Sequence, residues 1–263
     1  MAKPNKESQK TTRERAAAAR AKADAEQRRR DNRSRLIGGG VVVILIALIF
    51  GGVWLSKRDN GTDPSNANAA LPAGVDAATY GVPYGTGSAD VPQLQLWEDF
   101  QCPGCKALED ANGTGITKLA DQGTIRLLWR PTTFLDTNLK NDSSARAAAA
   151  WGCAIDAGKA HEYHTTVFAN QPEEGVGYTD DQLLQFGKDA GITGPEYDTF
   201  ASCVGASTYA GWAANSYQAF LTEAVPGTPT GYLVLGDKKQ ELPSEVLRDQ
   251  AKLEQAIKDF QAS

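Results

Sequence analysis

The chain has 263 residues, 22% of them charged, with a formal net charge of −5, enough for one sizeable globular domain with appendages. The charge is uneven: residues 1–35 hold 12 Lys/Arg against 5 Asp/Glu, about +7, which leaves about −12 for the rest. That basic end has no aromatics and leads straight into a hydrophobic span, so it reads as solvated charge flanking a membrane and argues against a nucleic-acid partner.

Between Thr12 and Arg30 helix propensity is adequate but there is no apolar face to bury, so residues 1–35 are expected to be a disordered or fraying cytosolic tail. Leu36 to Leu55 reads LIGGGVVVILIALIFGGVWL, without a charge. Twenty residues at helical rise span about 30 Å, a bilayer core, and Trp54 suits the interface. Arg28, Arg29, Arg30, Arg33 and Arg35 flank one end and only Lys57 and Arg58 the other, which puts the N-terminus in the cytoplasm and residues 56–263 outside. Ala67-Asn68-Ala69 has the form of a signal cleavage site, but the apolar run is too long and ends well before it. The expectation is an uncleaved single-pass anchor in the cell membrane. Residues 56–79, rich in Asn, Ala, Gly, Asp and Pro, read as a flexible tether.

The folded domain is expected over residues 80–263. Gly81 to Tyr84 is a short edge strand, and Gln93 to Trp97 alternates as a strand. Directly after it comes Phe100-Gln101-Cys102-Pro103-Gly104-Cys105. A cysteine opening a helix meets unpaired N–H groups and the positive end of the dipole, which favour its thiolate. Pro103 suits the first helical turn, where its missing N–H has no intrahelical partner. Cys105 follows one turn later, placed to resolve a mixed disulfide formed at Cys102. Lys106 to Asp121 continues as a helix weakened by Gly113 and Gly115. Thr124 to Arg130 is the next strand, ended by Pro131, and the short joints imply a parallel pair.

Residues 142–222 then read as helix after helix: Ala145–Ala157, Tyr163–Ala169, Asp180–Ala190, Pro195–Val204 and Ser207–Leu221, an insertion that interrupts the sheet. Thr230–Leu235 and Lys238–Leu242 form a hairpin across Gly236-Asp237. Pro243 opens a last helix with Val246, Leu253, Ile257 and Phe260 on one face. Trp151, Phe168, Phe186, Phe200 and Trp212 are core by default. In His161-Glu162-Tyr163-His164 the i, i+3 pair has a metal-binding spacing, but no further ligand pattern supports it, so packing or surface is the expectation and no metal site is assigned. A zinc site from the four cysteines fares no better, since Cys153 and Cys203 have no C-x-x-C spacing.

Taken in order, Ala89-Asp90-Val91-Pro92, Asp99-Phe100-Gln101-Cys102-Pro103-Gly104-Cys105, the insertion and Gly227-Thr228-Pro229-Thr230 make the chain over residues 80–263 resemble the DsbA-like branch of the thioredoxin superfamily. The resemblance implies an α/β thioredoxin fold with a helical insertion, here preceded by one transmembrane helix. It makes Cys102 the exposed nucleophile, Cys105 the buried resolving thiol, and Thr228-Pro229 a cis-proline loop facing Cys102, where a substrate strand pairs with the Thr228 backbone. Two positions depart from the pattern. Gly104 stands where DsbA has a histidine, so the thiolate depends on backbone N–H groups and the dipole and the pair is expected to be less oxidising. Leu96 stands where the family often has an acid; Glu98 and Asp99 lie nearby, and Glu98 is expected to be a solvated loop carboxylate, with a proton acceptor as the alternative. Cys153 and Cys203, as extracytoplasmic thiols on two helices, are expected to form a structural disulfide, with two buried free thiols or a second redox relay as the alternatives. The activity implied is a protein disulfide oxidoreductase without a bound cofactor, acting on reduced exported proteins and re-oxidised by a membrane quinone-linked partner of the DsbB or vitamin K epoxide reductase-like type. A tethered reductase or isomerase, or a non-catalytic binding module with this fold, are the alternatives.

Overall fold

The computed structural model describes residues 68–263. The basic tail, the span expected at 36–55 and most of the tether lie outside the described residues. Among those described, no helix is long and apolar enough to cross a membrane.

The sheet is built around its central strand. Strand β2 (Gln93–Glu98) runs parallel to β3 (Arg126–Pro131) on one side and antiparallel to β4 (Thr230–Leu235) on the other, with Leu96 opposite both Trp129 and Gly231. Strands β1 (Val82–Tyr84) and β5 (Lys238–Leu242) close the edges antiparallel, giving the order β1-β3-β2-β4-β5. A central strand has both faces covered, which is why Leu94, Leu96, Trp97 and even Glu98 are all buried.

The crossover from β2 to β3 is one helical run of three parts: α1 (Pro103–Leu108), a π-helical turn (Glu109–Gly113) and α2 (Thr114–Asp121). The weakness at Gly113 is thus realised as a wider turn within an unbroken run. Between β3 and β4 come α3 (Phe134–Leu139), α4 (Ser143–Asp156), α5 (Ala160–Ala169), α6 (Asp180–Asp189), α7 (Gly194–Gly205) and α8 (Ala210–Thr222). Alanines 147, 148, 150 and 154 keep α4 slim enough to be buried along most of its length. A capping box of Thr179 and Gln182 starts α6. Cys153 on α4 and Cys203 on α7 are joined by a disulfide. After β5, α9 (Ser244–Leu247) and α10 (Gln250–Ala262) finish the chain, with Leu253, Ile257 and Phe260 packed into the core.

Three places differ from the sequence reading. The last helix is split, because Asp249 takes an extended N-cap conformation and its side chain accepts from the Lys252 N–H. Helix α3 was not foreseen; its six residues carry no usable period. Residues 68–79, assigned to the tether by composition, are strapped to the domain. Leu71 and Val75 pack on the core, Ala73 N–H donates to Asp156 Oδ1, and the Thr79 and Tyr80 carbonyls accept from Arg130 and Trp212.

Candidate active site

Strand β2 delivers the chain through Asp99–Gln101 to Cys102, which occupies the N-cap of α1 with an extended backbone (φ −77°, ψ 117°) and Pro103 in the first turn. The Cys102 carbonyl accepts from the N–H groups of Cys105 and Lys106, so the sulfur sits at the mouth of the helix. Across from it the Thr228–Pro229 peptide is cis, and the Cys102 thiol donates to the Thr228 carbonyl at 3.3 Å. Gly104 lets that loop close: a Cβ there would stand 3.2 Å from Pro229 Cδ and 3.5 Å from Cys102 Sγ.

The two thiols are polarised in opposite senses. Cys102, expected to be exposed, is instead buried at 7% exposure beside the cis-proline loop, and it is lowered to about 6 from an ordinary 9. A hydrogen bond from the Cys105 thiol does most, Thr228 and the N–H groups of Cys105 and Gly104 add to it, and burial opposes them. Cys105 is fully buried and is pushed well above the usual thiol range by that burial and by the charge on Cys102. Near neutral pH the reduced pair is therefore a thiolate at Cys102 beside a thiol at Cys105; both are unpaired sulfurs here.

The insertion holds the backbone of this turn. Gln171 Nε2 donates to the carbonyls of Phe100 (2.8 Å) and Cys102 (3.1 Å), and the Tyr178 hydroxyl donates to Phe100 O (2.6 Å). Gln101 Nε2 reaches Asp136 Oδ1 and Ser144 Oγ, while Asp99 accepts from Gln101 N, Leu135 N and Ser144 Oγ. Burial lifts Asp99 to about 7 against those three donors.

Of the residues singled out from sequence, Cys102, Pro103, Gly104, Cys105, Thr228 and Pro229 meet in one place; Cys153 and Cys203 pair elsewhere, within the insertion. Glu98 is a buried carboxyl, 5% exposed, rather than a solvated one, and its Oε2 lies 3.0 Å from His164 Nε2. His164 is walled in by Phe100, Trp129, Trp151 and Phe168, whereas His161 is half-buried against Trp129 and Tyr84. Gln171, Tyr178 and Glu109 went unnoticed in the sequence; for Glu109 the available signal was its place one helical turn beyond Cys105.

Thr228 Oγ1 is buried without a partner in the thiol form, so its proton is free for a thiolate. Replacing Thr228 with Val removes that donor. The Cys102 pKa is expected to rise by about 1–2 units, one charge-assisted hydrogen bond, in an ultraviolet thiolate titration. An unchanged titration would show that Thr228 acts only through its backbone.

A family model described as Thioredoxin matches residues 78–259. Among solved structures, the chain is similar to the reduced form of a disulfide bond oxidoreductase (DsbG) from Mycobacterium tuberculosis, at 23% identity and TM-score 0.55, covering 70% of this chain and 88% of that one. It is similar to MdbA, a thiol-disulfide oxidoreductase from Actinomyces oris, at 20% identity and TM-score 0.61 over 74% of this chain and 95% of that one. Oxidised BdbD from Bacillus subtilis aligns at 19% identity and TM-score 0.58, over 74% of this chain and the whole of that one. At such identities the likeness is one of fold. No curated protein matches the chain.

Proposed function

The chain belongs to the thioredoxin family, and from that premise we propose that it is an extracytoplasmic thiol–disulfide oxidoreductase that introduces disulfides into exported proteins. The observation that carries this reading is the polarised pair, with Cys102 Sγ at a helix mouth, 3.3 Å from the Thr228 carbonyl, beside a fully buried Cys105. In the oxidised enzyme a substrate thiolate attacks Cys102 Sγ, the Cys102–Cys105 bond breaks, and Cys105 leaves with the electron pair and takes up a proton. A second substrate thiolate then attacks the substrate sulfur of the mixed disulfide. The substrate disulfide closes and Cys102 departs as a thiolate, a good leaving group at a pKa of about 6. Two electrons have moved to the dithiol, and a membrane quinone-linked oxidant of the DsbB or vitamin K epoxide reductase-like type removes them. The apolar run at residues 36–55, with its arginine-rich N-terminal flank, supports a single-pass anchor that keeps this domain outside and close to that oxidant.

One observation favours a second reading, a tethered reductase or isomerase. A Cys102 pKa of about 6 lies nearer the roughly 7 of thioredoxin than the roughly 3.5 of DsbA, and a less stabilised thiolate makes a weaker oxidant. The reduction potential separates the two. Equilibration in glutathione buffers, with the thiols counted by mass, is expected to give a value toward the roughly −120 mV of a strong oxidant; a value near the roughly −270 mV of thioredoxin would sink the oxidase reading.

A further inference from the structure

The break between α9 and α10 carries an arginine to the active-site turn. Leu247 closes α9 and is fully buried against β4, where a Cβ on Gly231 would stand 2.7 Å from its Cδ2. Asn112 of the π-helical turn donates to the Leu247 carbonyl at 2.8 Å, and Asp249 Oδ1 accepts from the Lys252 N–H to start α10. Arg248 lies between these two anchors with an exposed side chain. Its Nη2 donates to the Gly104 carbonyl at 3.2 Å, 144 residues back along the chain. Gly104 in turn faces the reacting sulfur. A Cβ there would stand 3.5 Å from Cys102 Sγ and 3.6 Å from the Thr228 carbonyl. One residue therefore separates the guanidinium from the thiol, and Nη2 lies within about 10 Å of Cys102 Sγ.

That guanidinium is not neutralised. Among the described residues no carboxylate lies within ion-pair distance of Arg248. Its neighbour Asp249 is turned to Lys252, with Nζ at 3.8 Å. Lys106, the cation of α1, is paired with Asp110 at 3.0 Å. An arginine offers a planar fork of N–H donors, and the Gly104 carbonyl takes one of them. Exposed ion pairs are weak partly because two long side chains must be ordered to make them. Here the bond to Gly104 already holds one of the two, so less entropy is left to lose on pairing.

We propose that Arg248 is a specificity residue, which selects substrate segments carrying an Asp or Glu two residues from the reacting cysteine. The proposal rests on the exchange reaction argued above and adds a substrate class to it. A substrate strand paired with the Thr228 backbone advances about 3.3 Å per residue, and alternate side chains share a face. A carboxylate two positions from the cysteine therefore points to the same side as the attacking sulfur. It is displaced by about 7 Å along the strand, and its side chain covers the remaining distance to the fork. Both of its oxygens then accept from the guanidinium. A lysine or arginine at that place meets like charge, and a neutral side chain gains nothing.

The test uses the oxidised full chain at pH 7 and two reduced two-cysteine peptides. They differ only in having Glu or Gln two residues to either side of each cysteine. The readout is the ratio of their oxidation rates, compared between wild type and Arg248→Gln. That comparison cancels each peptide's own thiolate fraction and any general loss of activity in the variant. The Glu-to-Gln ratio should be about fivefold larger in wild type, the upper end for an exposed ion pair. Arg248→Lys, which keeps the charge, should restore part of that difference. Equal ratios in wild type and Arg248→Gln would overturn the proposal, even with both peptides slowed, because Arg248 would then only brace the turn. A difference that persisted with the Glu residues moved eight positions from the cysteines would overturn it too, by making the effect one of net charge. Serine-for-cysteine versions of the peptides give the same comparison as dissociation constants, by fluorescence anisotropy and without any exchange. A wild type inert toward the reduced peptides that still bound the Glu version more tightly, by a margin lost in Arg248→Gln, would sink the proposed function and leave the Arg248 site standing. An inert wild type without that margin would end both.

Discussion

Cys102→Ser is expected to reduce dithiol oxidation to the uncatalysed background, while Cys105→Ser turns the protein into a trap. The difference follows from burial. Cys105 is fully enclosed and its thiol is pushed well above the ordinary range, so without Cys102 no reactive sulfur faces the substrate. Without Cys105, the Cys102 thiolate still attacks a disulfide-bonded substrate, but no second thiol releases the mixed disulfide. That adduct should accumulate and appear by mass as protein plus one substrate chain. Its formation rate should climb with pH through about 6 and then level off, since only the thiolate attacks. Serine is the informative replacement because the largest downward influence on Cys102 is a hydrogen bond from residue 105, which a hydroxyl can still supply. Cys105→Ala should trap more slowly than Cys105→Ser near pH 6, its Cys102 having lost that donor and been raised by the loss. An adduct mapped to Cys105 in the Cys102→Ser protein, or exchange surviving that replacement, would end the assignment of nucleophile and resolving thiol.

The parts of the site that were legible in the sequence are those whose physics is local. A strand, a C-P-x-C and a helix are read from period, cap and proline within a dozen residues, and Cys102 does take the N-cap. Thr228 and Pro229 are 126 and 127 residues further on, and only a family resemblance brought them to Cys102. Glu98 and Asp99 defeated the reading for a physical reason. Adjacent residues at a strand end usually leave one side chain wet, but β2 is central, with both faces covered, and both acids are buried. The partners of Glu98 come from a π turn and from α5, neither of which has a sequence period that points to a carboxyl. The strap at residues 71–80 was missed because two apolar side chains, Leu71 and Val75, in a polar stretch resemble a tether until the carbonyls of Thr79 and Tyr80 are seen to be held.

Replacing Cys153 and Cys203 together with Ala should cost about 4 kcal/mol, the loop-closure entropy of a bridge between residues 50 apart. For a domain of this size that corresponds to a fall in Tm of about 10 °C, a large part of an ordinary stability. The constraint is well placed, because α4 and α7 lie on either side of the stretch containing α5 and α6, and α5 carries His164. Freed of the bridge, the unfolded chain gains most of the entropy, while the folded helices keep their packing through Trp151, Phe168 and Phe200. The Cys102–Cys105 potential and the trapping rate should therefore stay as in wild type at temperatures below the new transition. Calorimetry gives the first number and glutathione equilibration the second. An unchanged Tm would mean that the bridge adds nothing to the fold. A shifted potential with Cys153 and Cys203 titrating beside Cys102 and Cys105 would make the second pair an electron carrier rather than a brace.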